Sequence, residues 1–411
     1  MAGQNIVVGL DVGTTKVVAL VGEVDDRGGV SIIGVGEQAT QGLKKGSIID
    51  LEGVIKSITQ AVEKAEHMSG CHLQTAFISV SGPHLSSVIN KGVVAITNKE
   101  KEISPEDIHR VLQAAKVVAL PQDKKIIHVH PRQYTVDGNE GIMDPIGMAG
   151  TRLEAEINIV TAPATALQNL LRCLQRADIQ EEEFIPAALA SAEAVLLPAE
   201  RDLGCLLVDI GGGTTEFAIF DQGRLWYTSV LPVGGNLITS DIAIGLRTPV
   251  EVAENIKITH GCVLPDIMPD NEMITVLDML GKGSKQVSKK VVASIIRPRI
   301  QEILTLIRNE LKTSGYRGML PGGMIITGGA VLLEGLVELA STELNLPVRV
   351  GLPDRINGVS EATQGPGYAT ATGLVLYGAR QLSSIQAAPA RERFLGSFLN
   401  RLKLFFQDFF D

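Results

Sequence analysis

Residues 206–220 read LLVDIGGGTTEFAIF, a glycine-rich turn between two runs of apolar and β-branched residues. This pattern predicts a strand, a tight turn and a second strand. The first run ends near Asp209, and three glycines, two threonines and a glutamate follow. Backbone N–H groups in such a turn can point at an anion, and glycine lets a phosphate approach where a Cβ would collide. We therefore interpret the turn as a candidate phosphate-binding loop.

The same pattern occurs near the N-terminus, where residues 6–24 read IVVGLDVGTTKVVALVGEV. The two copies lie about half a chain apart, which predicts two related α/β halves that face each other. A single glycine-rich turn could be a simple hairpin, but two matched loops and a later Gly-Gly turn favour a nucleotide site. Asp11 and Asp209 could hold the waters of a Mg²⁺ ion, and Lys16 could face the phosphates. Neither loop is a Walker loop, because GxxxxGK[ST] does not occur.

Composition limits the class of protein. The chain has 411 residues, 45% of them hydrophobic and 20% charged, and a net charge of −9, so two to four folding units and no bound nucleic acid are expected. The four cysteines form no CxxC pair, which argues against a zinc site and fits a reducing compartment. His128 and His130 have no third ligand nearby in sequence, so a structural role is expected. The N-terminus does not resemble a signal peptide, and no stretch of about 18 apolar residues predicts a spanning helix.

Residues 84–162 interrupt the first half. Ser104 and Pro105 begin a predicted helix as N-cap and first residue, and the segment 126–138 alternates like a strand that ends in a turn. Helical spacing returns at 163–178. In the second half, two helices are predicted on either side of Thr248-Pro249. We interpret 84–162 as an inserted subdomain.

The Asp-Gly-Thr-Thr loop, its copy and the ITGGA turn before a helix resemble the two phosphate loops and the adenosine loop of the actin, Hsp70 and sugar-kinase superfamily. In that superfamily ATP and Mg²⁺ lie in a cleft between duplicated ribonuclease H-like domains. The resemblance implies these nucleotide-binding residues: Asp11, Gly13, Thr14, Thr15 and Lys16 of the first loop; Asp209, Gly211, Gly212, Gly213, Thr214 and Thr215 of the second; Gly234, Gly235 and Asn236 near the sugar; Glu254 and Lys257 near the ribose and base; Gly328 and Gly329 of the adenosine loop. Asp11 and Asp209 would contact Mg²⁺ through water.

The insert points to one member of the superfamily. The segments ISVSGPHLSSVINKGVVAIT (78–97) and HVHPRQYTVDGNEGIMDPIGMAGTRLEAE (128–156) resemble the bacterial cell-division family FtsA, and the match extends from about Ile6 to Arg380. This resemblance implies the following division of the chain: subdomain 1A at 1–83 and 163–203, inserted subdomain 1C at 84–162, subdomain 2A at 204–226 and 301–380, subdomain 2B at 227–300, a linker at 381–390, and a C-terminal membrane helix at 391–411.

The resemblance also implies a function. Members of this family tether the ring of the tubulin-like protein FtsZ to the inner face of the cell membrane at the division site. Subdomain 2B would bind the C-terminal tail of FtsZ, subdomain 1C would contact later division proteins, and the chain would form head-to-tail filaments. Two alternatives stay open from the residues, a pilus-assembly adaptor of the same actin-like group and, with less support, a small-molecule kinase.

Turnover of ATP is expected to be weak at most. Relatives in the superfamily place a carboxylate that orients the attacking water in a Glu-Pro-x-Ala-Ala motif. The matching stretch here is AALASAEAV, residues 187–195, where Glu193 is the one carboxylate and stands a few positions out of register. The sequence therefore predicts ATP binding without a competent hydrolytic residue at this position.

The last 21 residues, RERFLGSFLNRLKLFFQDFFD, contain six of the ten phenylalanines. On a helical wheel the apolar residues fall in one half and the polar ones in the other, with Leu404 as the exception. We predict an amphipathic helix that lies on a membrane, although packing on the protein itself or on a partner would use the same face. The residues predicted to enter the lipid are Phe394, Leu395, Phe398, Leu399, Leu402, Phe405, Phe406, Phe409 and Phe410.

Overall fold

A computed structural model describes residues 5–118, 120–269, 271–279, 283–353, 356–358 and 361–387. Within these ranges the strands are, in chain order, β1 (Ile6–Val12), β2 (Lys16–Val24), β3 (Val30–Ala39), β4 (Leu43–Lys44), β5 (Ser47–Ile48), β6 (Thr75–Val80), β7 (Ser86–Ala95), β8 (Lys124–Val136), β9 (Asn139–Ile142), β10 (Arg152–Pro163), β11 (Gln180–Pro186), β12 (Cys205–Ile210), β13 (Thr215–Asp221), β14 (Arg224–Leu231), β15 (Met273–Leu277), β16 (Ser284–Ser288), β17 (Met324–Thr327), β18 (Val348–Val350) and β19 (Asn357–Gly358).

The α-helices are α1 (Leu51–Ser69), α2 (Pro105–Lys116), α3 (Ala164–Arg176), α4 (Ala187–Val195), α5 (Pro198–Leu203), α6 (Gly235–Leu246), α7 (Val250–His260), α8 (Lys289–Thr313), α9 (Leu336–Leu344) and α10 (Ala369–Ala387). Short 3-10 turns lie at Pro265–Ile267, Gly329–Leu332, Glu361–Gln364 and Pro366–Tyr368.

Two sheets repeat one topology. The first has the order β11-β6-β1-β2-β3-β19, and the second has the order β14-β13-β12-β17-β18. In each, three strands form an antiparallel meander, and two further strands continue the sheet in parallel from the first strand of that meander. The predicted duplication is confirmed, because each phosphate-loop candidate joins the first two strands of its own meander.

Helices cover both faces of both sheets. Helices α1 and α3 pack on the outer face of the first sheet, and α6, α7, α8 and α9 pack on the outer face of the second. Helices α4 and α10 lie between the sheets and share apolar cores with both. The small residues that dominate α4, AALASAEAV, allow the close approach of α10, where Gly373 lies against the Ala190 backbone. This central layer fixes the two loops relative to each other.

The inserted segment forms a sheet of its own with the order β7-β10-β8-β9, covered on one face by α2. Helix α2 begins as predicted, because Ser104 and Asp107 form a reciprocal capping box and Pro105 occupies the first turn. Strand β10 runs for twelve residues and delivers the chain back to α3. The insert is thus joined to the body by two crossings that lie side by side, at residues 81–85 and at Pro163.

One expectation about a helix needs correction. Residues 381–387, assigned to a linker, continue helix α10 to Ala387. Helix α8 is continuous from Lys289 to Thr313, with Pro298 inside it. The rest of the linker and the predicted membrane helix 391–411 lie outside the described residues. Within the described ranges, no helix has the length and apolar composition needed to cross a bilayer.

Candidate functional site

The two glycine-rich loops have the same local geometry. In the first, the Gly13 N–H donates to the Lys16 carbonyl at 3.1 Å; in the second, the Gly211 N–H donates to the Thr214 carbonyl at 2.9 Å. Each bond closes the turn between two antiparallel strands and leaves the intervening residues at the tip. The predicted loops are therefore present as matched hairpin turns, one from each half of the fold.

The tips of the two loops meet. A Cβ built on Gly213 would lie 2.6 Å from the side chain of Thr14, and one built on Gly212 would overlap Thr15. Any side chain at these glycines would push the loops apart, so glycine is required here for close approach rather than for turn geometry alone. The contact brings the two halves together around one cleft.

Three carboxylates from both halves lie at this cleft. Asp11 is near the end of β1, and Asp209 is near the end of β12. Glu216 on β13 is the direct cross-strand partner of Asp209, so both side chains leave the same face of the sheet. In the first half the equivalent partner of Asp11 is Val18. Sequence reasoning did not select Glu216, although counting pairs across the closed Gly211–Thr214 turn would have placed it opposite Asp209.

Hydroxyl groups donate hydrogen bonds to these carboxylates. Ser79 donates to Asp11 at 2.6 Å, and Ser191 on α4 donates to Asp209. Thr370 on α10 lies 3.2 Å from Asp209 through its hydroxyl. Ser81 donates to Glu216, and Thr214 donates to the same carboxylate oxygen at 2.9 Å. These hydrogen bonds all come from hydroxyl groups, and the charge of Lys16 also acts on Asp11.

Burial raises the pKa values of the three acids, and repulsion from a neighbouring carboxylate adds to this effect at Asp209 and Glu216. Burial is the main cause of the raised pKa of Asp11, opposed by the Ser79 hydrogen bond and by Lys16. Burial, with a further contribution from the charge of Asp11, raises the pKa of Asp209 to about 6. Burial and the charge of Asp209 raise the pKa of Glu216 to about 8. Such a cluster has the charge and the desolvation that a divalent cation would relieve.

Lys16 is held beside the first loop. Its ammonium lies 2.9 Å from the Glu37 carboxylate and 3.6 Å from the centre of the Tyr368 ring. Tyr368 also donates to Glu37. Although burial opposes ionisation of Glu37, the hydrogen bonds from Tyr368 and Lys16 outweigh it and lower the pKa of that carboxyl. A phosphate at the loop would compete with Glu37 for Lys16.

The predicted sugar and base residues form a second group beside the second loop. The N–H groups of Gly235 and Asn236 donate to the carbonyls of Gly211 and Gly212 at 2.9 and 2.8 Å. The Lys257 ammonium lies 2.7 Å from Glu254 and 3.3 Å from the Gly235 carbonyl. Helix α7 is thereby connected to the start of α6 and, through it, to the loop. The turn 234–236 braces the phosphate-loop candidate.

The Gly-Gly turn after β17 lies at the same cleft, next to Asp209. Gly328 has φ +92, and a Cβ built on it would lie 2.5 Å from the Ile210 carbonyl and overlap the Asp209 carboxylate. Among the described residues, none other than its own chain neighbours lies within 4 Å of a Cβ built on Gly329. The turn therefore packs tightly behind Asp209 and presents an open, side-chain-free surface at Gly329.

Two predicted residues have structural contacts. The hydroxyl of Thr215 donates to the Val233 carbonyl at 2.9 Å and is fully buried, so it supports the hairpin rather than the cleft. Glu193 on α4 pairs with Arg201 at 3.2 Å and with Arg380 at 3.0 Å. The side chain that α4 directs at Asp209 is Ser191 instead.

His128 and His130 both lie on β8, and the side chain of His128 is buried. The rings of His128 and His130 stack with centroids 5.3 Å apart, and burial lowers the pKa of His130 to about 3. Among the residues that the structure describes, no group of three or more His, Cys, Asp or Glu side chains is arranged to ligate a metal directly.

Matched phosphate-loop candidates between duplicated halves define the class of actin-like proteins. Residues 206–373 match the family profile described as cell division protein FtsA, and residues 82–161 match the SHS2 domain inserted in FtsA. Cell division protein FtsA of Pseudomonas aeruginosa is 41% identical over 92% of this chain and 90% of its own length. The FtsA proteins of Escherichia coli K12 (38%, over 91% and 90%) and Bacillus subtilis (40%, over 92% and 85%) are similar. The chain belongs to the FtsA family of cell division proteins.

Solved structures support the fold. The PilM-PilN type IV pilus biogenesis complex has a chain that matches with a TM-score of 0.65 and 17% identity, over 91% of this chain and 98% of that one. MreB5 of Spiroplasma citri bound to ADP matches with a TM-score of 0.55 and 14% identity, over 93% and 99%. At these identities the likeness concerns the fold alone. The pilus alternative therefore shares the architecture, while the sequence relationship is with FtsA.

Proposed function

We propose that this chain binds Mg-ATP in the cleft and works at the division site as a peripheral membrane protein that tethers the FtsZ ring to the inner face of the cytoplasmic membrane. The observation that carries the nucleotide part is the convergence of Asp11, Asp209 and Glu216 at two matched, glycine-rich loops. The cellular part rests on membership of the FtsA family. Self-assembly and recruitment of later division proteins by subdomain 1C, residues 84–162, belong to the same proposal.

The residues at the cleft fit Mg-ATP. Three carboxylates whose pKa values are raised by burial suit a hydrated divalent cation, which keeps most of its waters and is bound by few direct ligands. The loop tips at 13–15 and 211–213 would hold the phosphates, with Lys16 released from Glu37. Gly329 and the α7 residues Glu254 and Lys257 would face the adenosine. When bound, the cation would neutralise phosphate charge.

Binding can be tested with a fluorescent ATP analogue that is displaced by ATP, with and without Mg²⁺. Asp209→Asn should weaken binding in Mg²⁺ at least tenfold, which corresponds to about 1.4 kcal/mol. Asp178→Asn is the matched control, because Asp178 is exposed and lies in a left-handed turn that asparagine also tolerates. Equal affinities for both variants in Mg²⁺ would contradict the assignment.

We propose that hydrolysis is slow or negligible. Helix α4 directs the Ser191 hydroxyl, not a carboxylate, at Asp209, and Glu193 is engaged by Arg201 and Arg380. Glu216 is protonated at neutral pH before a cation arrives, so it is a poor base in the empty site. A steady-state rate above about 1 s⁻¹, within the usual enzyme range, would refute this part of the proposal.

Subdomain 2B, residues 227–300, would bind the C-terminal tail of FtsZ. It exposes apolar side chains that a peptide could cover, among them Ile244 at 76% and Ile258 at 72% exposure. Several of its cations are already paired: Arg299 with Asp241 and Glu302, Arg297 with Asp266, and Lys289 with Glu272. Apolar contact rather than charge is therefore proposed to dominate.

This contact can be measured by the fluorescence anisotropy of a labelled FtsZ tail peptide. Ile258→Ser should weaken binding about tenfold or more, since burying one isoleucine contributes about 1.5–3 kcal/mol. Ile146→Ser on the inserted subdomain is the control, because Ile146 is also exposed, at 51%. Loss of binding with the control and not with Ile258→Ser would move the site out of 2B.

Membrane attachment is proposed for the predicted helix 391–411. The full chain should float with lipid vesicles in Mg-ATP, whereas a chain that ends at Ala387, where α10 ends, should remain in solution. Phe406→Asp should prevent flotation, and Leu404→Asp should not, because Leu404 is outside the predicted apolar half. Equal flotation of the two point variants would argue against insertion of an amphipathic face.

A further inference from the structure

The inserted subdomain is joined to the body at the nucleotide cleft. Strand β6 ends at Val80, residues 81–85 form the first crossing, and β7 of the insert begins at Ser86. The second crossing is the junction of β10 and α3 at Pro163. In the second half of the fold, β17 holds the position of β6, and the residue that follows β17 is Gly328. Ser81 is therefore the topological counterpart of Gly328, which packs on Asp209.

Ser81 makes contacts that cross between the halves. Its hydroxyl donates to the Glu216 carboxylate and lies 3.1 Å from the Thr214 hydroxyl, at sequence separations of 135 and 133 residues. Two residues earlier, Ser79 donates to Asp11 and accepts from the Val12 N–H at 3.1 Å. The end of β6 and the start of the crossing thus contact Asp11 of the first half and Glu216 of the second.

The crossing itself is a tight turn. Gly82 has φ +140, and a Cβ built there would lie 2.7 Å from Nδ1 of His84. The Leu85 N–H donates to the Gly82 carbonyl at 3.0 Å, and Leu85 is buried. Strand β7 then pairs with β10 over ten residues. A displacement of Ser81 would therefore be transmitted to the whole insert sheet, because a short, hydrogen-bonded turn connects Ser81 to β7.

Space for such a displacement is present. A cavity of about 240 Å³ lies against Ser79, Ser81 and His84 on one side and against the β4–β5 hairpin and helix α3 on the other. Pro163, at the second crossing, also lines it. Both crossings of the insert therefore border one void. The turn could shift into this void without displacing core side chains.

We propose that Ser81 is a positioning residue that couples the occupancy of the nucleotide cleft to the placement of the inserted subdomain. This inference rests on the proposed binding of Mg-ATP. Glu216 and Thr214 would shift towards a divalent cation and phosphates bound at the cleft, and their bonds to Ser81 would change. The Gly82 turn carries that change into β7, so the insert takes a different position in the two states of the site.

The test is hydrogen–deuterium exchange of the full chain, without nucleotide and with saturating Mg²⁺ and a non-hydrolysable ATP analogue. Affinity is measured in parallel so that every variant is compared at saturation. In the wild type we expect nucleotide to change uptake in residues 81–95. In Ser81→Ala that change should fall at least twofold, and Ser81→Thr should restore most of it.

Ser86→Ala is the matched control, since Ser86 lies at the end of the same crossing but bonds Thr161 at 2.8 Å within the insert. It should retain the wild-type change. Gly82→Ala is a second variant that keeps the Ser81 hydroxyl and obstructs the turn at His84, and it should also reduce the change. It keeps the proposal testable if Ser81→Ala does not fold.

Three outcomes distinguish a failure of the proposed coupling through Ser81 from a failure of the proposed nucleotide site. If the wild type binds nucleotide without any change in deuterium uptake at 81–95, the proposed coupling is overturned and the proposed function is left intact. A wild-type change retained in both Ser81→Ala and Gly82→Ala would overturn the role of Ser81. If the wild type does not bind nucleotide, the proposed function and the proposed coupling through Ser81 are both overturned.

Discussion

Replacement of Glu216 by glutamine should remove a pH dependence of stability from the nucleotide-free protein. The carboxyl of Glu216 is buried beside Asp209, which raises its pKa from 4.5 to about 8. In the unfolded chain the carboxyl would ionise near its ordinary value. Between these two values the folded protein therefore binds one more proton than the unfolded chain, and its free energy of unfolding falls as the pH rises.

The magnitude follows from linkage. One extra bound proton changes the free energy of unfolding by about 1.4 kcal/mol per pH unit, and the slope levels off near the folded pKa, so the loss between pH 6 and pH 8 is about 2 kcal/mol. Asp209 contributes less in this window, because its pKa is raised only to about 6. For a chain of this length, about 1–2 °C of melting temperature corresponds to each kcal/mol.

The assay is thermal denaturation at pH 6, 7 and 8 without Mg²⁺ or nucleotide. The melting temperature of the wild type should fall by about 2–4 °C more than that of Glu216→Gln across this range. Glu251→Gln, at an exposed position in the first turn of α7, should follow the wild type. Taking the difference between variants cancels the titration of groups that do not interact with Glu216.

Mg-ATP supplies the second half of the test. A divalent cation at the cleft favours the ionised carboxylate, so Mg-ATP should stabilise the wild type more at pH 8 than at pH 6. Parallel pH profiles for the wild type and Glu216→Gln would refute the reasoning. So would a wild type that becomes more stable, relative to Glu216→Gln, as the pH rises.

Three further outcomes are expected. Lys16→Ala should weaken ATP binding at least tenfold, whereas Lys45→Ala, in the exposed turn between β4 and β5, should not; titration with a fluorescent analogue checks this, and equal affinities would count against Lys16. Phe217→Ala should lower the free energy of unfolding by about 3–5 kcal/mol, because Phe217 is fully buried in the core of the second half; chemical denaturation measures it, and a loss below about 1 kcal/mol would be inconsistent with that packing. Ser104→Ala should cost about 1 kcal/mol by removing the capping box of α2, visible as faster amide exchange in its first turn, whereas unchanged exchange would mean that the cap contributes nothing.

Much of the fold could be predicted because its signals are local. The hairpins around Asp11 and Asp209, the capped helix at Ser104 and the break at Pro249 each depend on residues within one or two turns of chain. The duplication was also visible, since one motif recurs at half the chain length. The helical continuation to Ala387 was missed because the polar Ser-rich stretch after Arg380 resembles a linker, although it extends a helix whose earlier turns are held by the core.

The amino-acid order thus specified strands, turns, caps and the two loops, because periodicity and turn chemistry act over a few residues. Contacts between residues more than a hundred positions apart in the sequence leave no such local pattern. Glu216 became a site residue only when the hairpin placed it opposite Asp209 and folding brought Ser81 to it from the other half. Lys16 lies near Glu37 because β2 pairs with β3. Tyr368 and Arg380 reach Glu37 and Glu193 from more than a hundred residues away, because α10 packs between the sheets. That packing decides which distant side chains reach the cleft.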